Sequence, residues 1–197
     1  MCGVVLRHAS PGMEKRGARG FTLFELLVAL AIIAIVVAVA IPAFSSLYGD
    51  VCLKAAVWEI GQMIKEGKQR GLEEADYALC FNPPVGKVTL VSGRGPDGEW
   101  NTADDPVVRA LFLSTKGGGL KFGTGGHGPY QPGRADPEDG ISFATPENVM
   151  VCNTRLTGNG GTIYVQSASG GAMALVVNSI DFSYSTWRWS GKRWVKM

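Results

Sequence analysis

Histidine and cysteine are scarce in this chain of 197 residues, with two of the first and four of the second. His8 and His127 have no ligand-type neighbours, and Cys2, Cys52, Cys80 and Cys152 fall into no CxxC pattern. The common zinc and dithiol signatures are therefore excluded. A phosphate loop is missing too, because Gly93, Gly95 and Gly98 precede neither a Lys-Ser/Thr ending nor a helical pattern. His127 sits in a glycine-rich stretch with nothing in sequence to orient it, so no Ser-His-Asp constellation stands out and the chain does not read as an enzyme. There is little excess of either charge. A formal net charge of +2 predicts neither nucleic-acid binding nor a strongly acidic partner.

The most informative absence is local. No charged side chain occurs from Leu26 to Tyr48, a stretch that makes roughly 34 Å of helix at about 1.5 Å per residue and can cross a bilayer. Just before it, residues 1–20 hold Arg7, Lys15, Arg16 and Arg19 against Glu14. A basic flank stays cytoplasmic, which places everything after Tyr48 outside the cytoplasm. A secretory signal peptide fits poorly, because no AxA-like site closes the apolar run and a helical pattern continues past Pro42 and Phe44. A plain anchor leaves Glu25 unexplained, since a carboxylate near the membrane needs a partner or a proton.

The tract RGFTLFELLVALAIIAIVVAVAIP resembles the processing and helix signature of type IV pilins and type II secretion pseudopilins. The resemblance implies that a prepilin peptidase cuts after Gly20 and methylates the new amino terminus at Phe21. Glu25 becomes the fifth residue of the mature chain. Leaders in this family are short, and Met13 would start the eight-residue leader MEKRGARG, an alternative start to Met1. Within an apolar helix bundle a carboxylate is costly unless it meets a positive group. In the family, Glu25 of one subunit would meet the amino group at Phe21 of its neighbour, so the charge sets an assembly register. Thr22 is expected to add a local hydrogen bond. Pro42 removes one backbone donor and loosens the helix without ending it, and the alanines let helices approach closely.

Four regions follow: a leader at 1–20, an apolar helix at 21–48, its amphipathic continuation at 49–71 and a β-rich head at 72–197. In the continuation, Leu47, Val51, Ala55, Val57 or Trp58, Ile60 and Ile64 recur at spacings of three and four and are expected to bury against a sheet. Asp50, Lys54, Glu59, Lys65 and Lys68 would face water or a neighbouring subunit, with Gly71 as the stop. Short β-branched and aromatic runs then cover 77–81, 87–92, 107–114, 120–122, 140–145, 161–167, 172–178 and 180–187, separated by turn residues. Residues Gly117 to Gly140 read as a long flexible excursion. The fold class is α+β: a long helical stem followed by a mostly antiparallel β head packed on the second half of the helix. The later head is similar to those of minor pseudopilin H and FimT-type minor pilins, although Asn178-Ser179 stands where that subtype has a Gly-Arg turn.

Three further sites stand out. SGRGPDGEWNTADDP, residues 92–106, gathers Asp97, Glu99, Asn101, Asp104 and Asp105, oxygen ligands of the kind calcium takes. It is similar to loops in some major pseudopilins where calcium stabilises the head, and the alternative is a solvated acidic turn. Cys80 and Cys152 lie in the strand-rich part and form either a disulfide outside the cytoplasm or two buried thiols, while Cys52 is a packed helix residue. The tail WRWSGKRWVKM interleaves Trp189 and its neighbours with Arg188, Lys192 and Arg193, a composition that can stack bases and meet phosphates. FimT-like pilins associate such a tail with DNA uptake. The alternative is a strand pair turning at Ser190-Gly191 with its tryptophans on the core face.

The function implied is that of a minor structural subunit of a type II secretion pseudopilus or a type IV pilus, with DNA capture as the alternative. Its partners would be the prepilin peptidase, other pilins in a helical filament and an inner-membrane assembly platform. It would sit as a single-pass inner-membrane protein with a periplasmic head before entering a filament.

Overall fold

The computed structural model describes residues 21–73, 76–130, 137–143, 147–153, 160–178 and 183–197. Helix α1 runs Leu23–Glu73 and carries Pro42 inside it, so the proline is tolerated within the helix as its sequence context suggested. The chain divides into two compact units, Met1–Ala40 and Ile41–Met197. In the first, α1 is exposed along its described length and is long and apolar enough to cross a membrane by length and composition.

The second unit holds nine strands among the described residues. They are β1 Tyr77–Asn82, β2 Lys87–Val91, β3 Val107–Phe112, β4 Lys121–Phe122, β5 Val149–Cys152, β6 Gly161–Gln166, β7 Ala172–Val177, β8 Tyr184–Trp189 and β9 Trp194–Lys196. All pairings are antiparallel, in one sheet ordered β3-β2-β1-β5 and another ordered β4-β6-β7-β8-β9. Two differences from the sequence reading stand out. Strand β5 has only four residues, too few to show a period, and pairs with β1. The run at 140–145 supplies only an isolated bridge from Ile141 to Ile163, and residues 144–146 lie outside those described.

One core joins the helix to both sheets. Leu53, Ile60, Met63 and Ile64 from α1 meet Leu79, Phe81 and Leu90 of the first sheet and Ile163, Val165 and Leu175 of the second. Each such side chain contributes roughly 1.5–3 kcal/mol through burial. The buried stripe is displaced from the expected one. Val57, Ile60 and Ile64 are buried as expected, but before them Cys52, Leu53 and Ala56 face inward, whereas Leu47, Val51 and Ala55 are exposed, as is Trp58, the alternative to Val57. Periodicity alone could not choose between these faces, because α1 carries apolar residues on both.

The charged residues of this segment do not simply face water. Asp50 pairs with Arg188 of β8, Glu59 with Arg109 of β3 and with Lys116, and Lys65 lies over the Tyr184 ring. The Lys116 ammonium, followed by Arg109, holds the Glu59 carboxyl below its usual range. These contacts tie α1 to strands from both sheets, so the polar positions help to fix the head on the helix.

Gly71 does not stop the helix. It is buried two residues before the helix end, and a Cβ there would stand 2.7 Å from the Cys152 carbonyl oxygen. The expected gain in helix propensity from Gly71→Ala, about 1 kcal/mol, is outweighed because backbone cannot move aside as a side chain can. Gly71→Ala should therefore lower the unfolding free energy by about 1–2 kcal/mol, measured by denaturant unfolding, and equal or higher stability would contradict this close approach.

Part of the glycine-rich excursion is held in place. Trp187 and Trp189 point away from α1, since Arg188 between them reaches Asp50 on the helix. Across that outer face, the His127 ring stacks on Trp189 at 4.6 Å and its Nε2 donates to the Gly170 carbonyl at 3.0 Å. The Trp194 indole donates to the Gly128 carbonyl at 3.0 Å, and the Tyr130 N–H donates to the Tyr164 hydroxyl at 3.3 Å. Residues 124–130 thus cover the second sheet opposite the helix. Residues 131–136 of the excursion lie outside those described.

Candidate functional site

The processing signature begins at the edge of the described residues. Gly20 lies outside them, while Phe21 and Thr22 are exposed just before α1. Thr22 makes the expected local bond, with its hydroxyl accepting from the Glu25 backbone N–H at 3.2 Å and its carbonyl accepting from Leu26 at 3.2 Å. This is a helix N-cap. The spacing Thr22-x-x-Glu25 is that of a capping box, and an acidic residue in the first turn suits the positive end of the helix dipole. The Glu25 carboxylate has no side-chain partner among the described residues.

The acidic loop is organised around one carboxylate. Asp105 is only 6% exposed. It accepts from the backbone N–H of Gly95 at 2.9 Å, Asn101 at 2.7 Å and Thr102 at 3.2 Å, and from the Thr102 hydroxyl at 3.3 Å. Asp97 accepts from the Glu99 N–H at 2.9 Å, and Asp104 from the Asp97 N–H at 3.4 Å. Trp100 packs on Ala78, Cys80, Val91 and Val149, so the loop covers the outer face of the first sheet. Among the described residues, no three His, Cys, Asp or Glu side chains are placed to hold a metal. Of the five residues Asp97, Glu99, Asn101, Asp104 and Asp105, the carboxylates of Asp97, Asp104 and Asp105 take the loop's own N–H groups.

Of the two alternatives for Cys80 and Cys152, the structure has two buried thiols and no bridge. Both thiols and that of Cys52 are free and buried. In the β1–β5 register Cys152 stands opposite Tyr77 and Cys80 opposite Val149. Tyr77 and Cys80 are three residues apart along a strand, so their side chains lie on opposite faces, and the two cysteines do as well. Burial pushes both thiols up to about 12, which leaves them protonated and poorly nucleophilic.

The tail forms the strand pair that was the alternative to a DNA surface. β8 and β9 meet at Trp189 and Trp194, and the turn is closed by Ser190 and Arg193. Its tryptophans do not face the helix as that alternative held; they lie on the opposite face under residues 124–130. Of the four candidate DNA contacts, Arg188 is engaged by Asp50 and Trp189 by His127. Lys192 and Arg193 are exposed at the turn.

Comparison of the chain with curated proteins and with solved structures finds no match to either. Residues 15–41 match the prokaryotic N-terminal methylation motif. This motif is typical of the type IV pilin and pseudopilin superfamily, and with it the chain carries the mark of processing by a prepilin peptidase and of participation in a pilin-type assembly.

Proposed function

We propose that the protein is a minor structural subunit of a type II secretion pseudopilus or a type IV pilus, of the minor pseudopilin H or FimT type. The methylation motif at residues 15–41 carries this reading. Cleavage after Gly20 removes the basic leader and exposes a new amino group at Phe21. The uncharged helix then holds the chain in the inner membrane with its head in the periplasm, until Glu25 pairs with the amino terminus of a neighbour and the subunit enters the filament. The assembly platform and the other pilins are its partners. The alternative of DNA capture is weakened by the engagement of Arg188 and Trp189.

The test is co-expression with and without an active prepilin peptidase. With the peptidase the chain should lose its first 20 residues and become N-methylated. Retention of the leader in both cells would remove the basis of the proposal.

A further inference from the structure

Strand β8 runs along α1 toward the apolar end of the helix. At the start of β8, Tyr184 meets the helix at Gly61, where a Cβ would stand 2.7 Å from the Tyr184 hydroxyl, and the Lys65 ammonium lies 5.6 Å from the centre of its ring. Near the other end, Arg188 pairs with Asp50. Four strand residues thus descend about 13 Å while eleven helical residues cover about 16 Å. The turn that follows, closed between Ser190 and Arg193, projects about 10 Å beyond Arg188, the length of about six helical residues. Its tip therefore comes level with residues 44–46 of α1, inside the stretch from Leu26 to Tyr48 that holds no charge. The charges at this end of the head are one-sided. Lys192 and Arg193 are exposed at the tip, and neither has a carboxylate within ion-pair distance among the described residues. Two other loops reach α1 at the same level, with Gly117 and Gly118 close to Tyr48 and Gly49, and Ser169 and Gly171 close to Gly49 and Asp50. Residues 117–119 and 167–171 carry no charge, and the Asp50 carboxylate is taken by Arg188.

We infer that the β8–β9 turn docks the head on an anionic phospholipid surface, with Lys192 and Arg193 meeting the lipid phosphates. The inference rests on the reading of the uncharged helix as a membrane span, which puts the bilayer surface at the level of this turn. It assigns the basic turn to lipid rather than to nucleic acid. A Lys or Arg held near an anionic membrane is worth roughly fivefold in occupancy, so two of them on a head already tethered by its helix hold it down without an apolar anchor. Uncharged loops beside the turn let it approach, because they bring no carboxylate against the lipid phosphates.

The experiment places a photo-crosslinking amino acid at position 190 of the full chain, reconstituted in vesicles of phosphatidylcholine alone or with about 30% phosphatidylglycerol, with a duplex oligonucleotide added in a parallel set. The lipid-linked fraction should be at least about fivefold higher in the anionic vesicles, and the double variant Lys192→Glu, Arg193→Glu should bring it down to the level of the neutral ones. Equal fractions in the two vesicles, or a double variant that crosslinks like wild type, would overturn the inference. So would an oligonucleotide-linked product that replaces the lipid-linked one in anionic vesicles, since the turn would then belong to nucleic acid. The same crosslinker at position 30 should reach lipid in both vesicles; if it does not, the membrane span itself fails and this surface fails with it.

Discussion

Glu25→Ala is expected to leave the chain processed and in the membrane, yet reduce its incorporation into filaments at least about tenfold, since leaving a buried charge without its partner costs roughly 3–5 kcal/mol. The contrast with a purely local role is measurable. The Thr22 cap uses the backbone N–H of Glu25, which alanine retains, so a capping role alone changes helix stability by only about 0.3–1 kcal/mol through the dipole. Glu25→Asp keeps the charge one carbon shorter and should incorporate better than Glu25→Ala. Quantifying membrane and sheared fractions for these variants decides the matter, and normal filament levels of Glu25→Ala would sink the intermolecular pairing.

Asp105→Ala is expected to destabilise the head by about 3 kcal/mol, because it orphans three backbone donors and a hydroxyl around a charged acceptor. The effect should extend beyond the loop. Trp100 covers the outer face of the first sheet, and its seat depends on the turn that Asp105 holds. Asp97→Ala removes a single exposed contact and should cost less than about 1 kcal/mol. Denaturant unfolding of the full chain in detergent, followed by tryptophan fluorescence, compares the two. Equal losses for Asp97→Ala and Asp105→Ala would contradict Asp105 as the centre of the loop.

Much of the fold was legible where one physical signal was strong. An uncharged run bounded by basic residues can hardly be anything but a long apolar helix, and Thr22 and Glu25 stand at capping-box spacing at its start. Most strands were visible because β-branched runs alternated with turn residues. What escaped depended on pairing across the chain. The α1 burial register was ambiguous because both sides of the helix are apolar. Gly71 read as a stop because its close approach to Cys152 belongs to another element. The face on which Cys80 or a tail tryptophan lies is set by strand register, which composition does not encode. In the acidic loop the residue types were legible, whereas the direction in which each carboxylate points is a matter of local backbone turns. Residues 124–130 looked unstructured for their glycines, yet His127 and Tyr130 anchor them on aromatic partners.

This chain is expected to be cut after Gly20 and built into a filament through the helix that follows. Intact-mass measurement of the protein in sheared filaments from the native host tests it most directly. A mass that begins at Phe21 and carries one added methyl group is predicted; a chain that retains its leader and is found only in the membrane would contradict it.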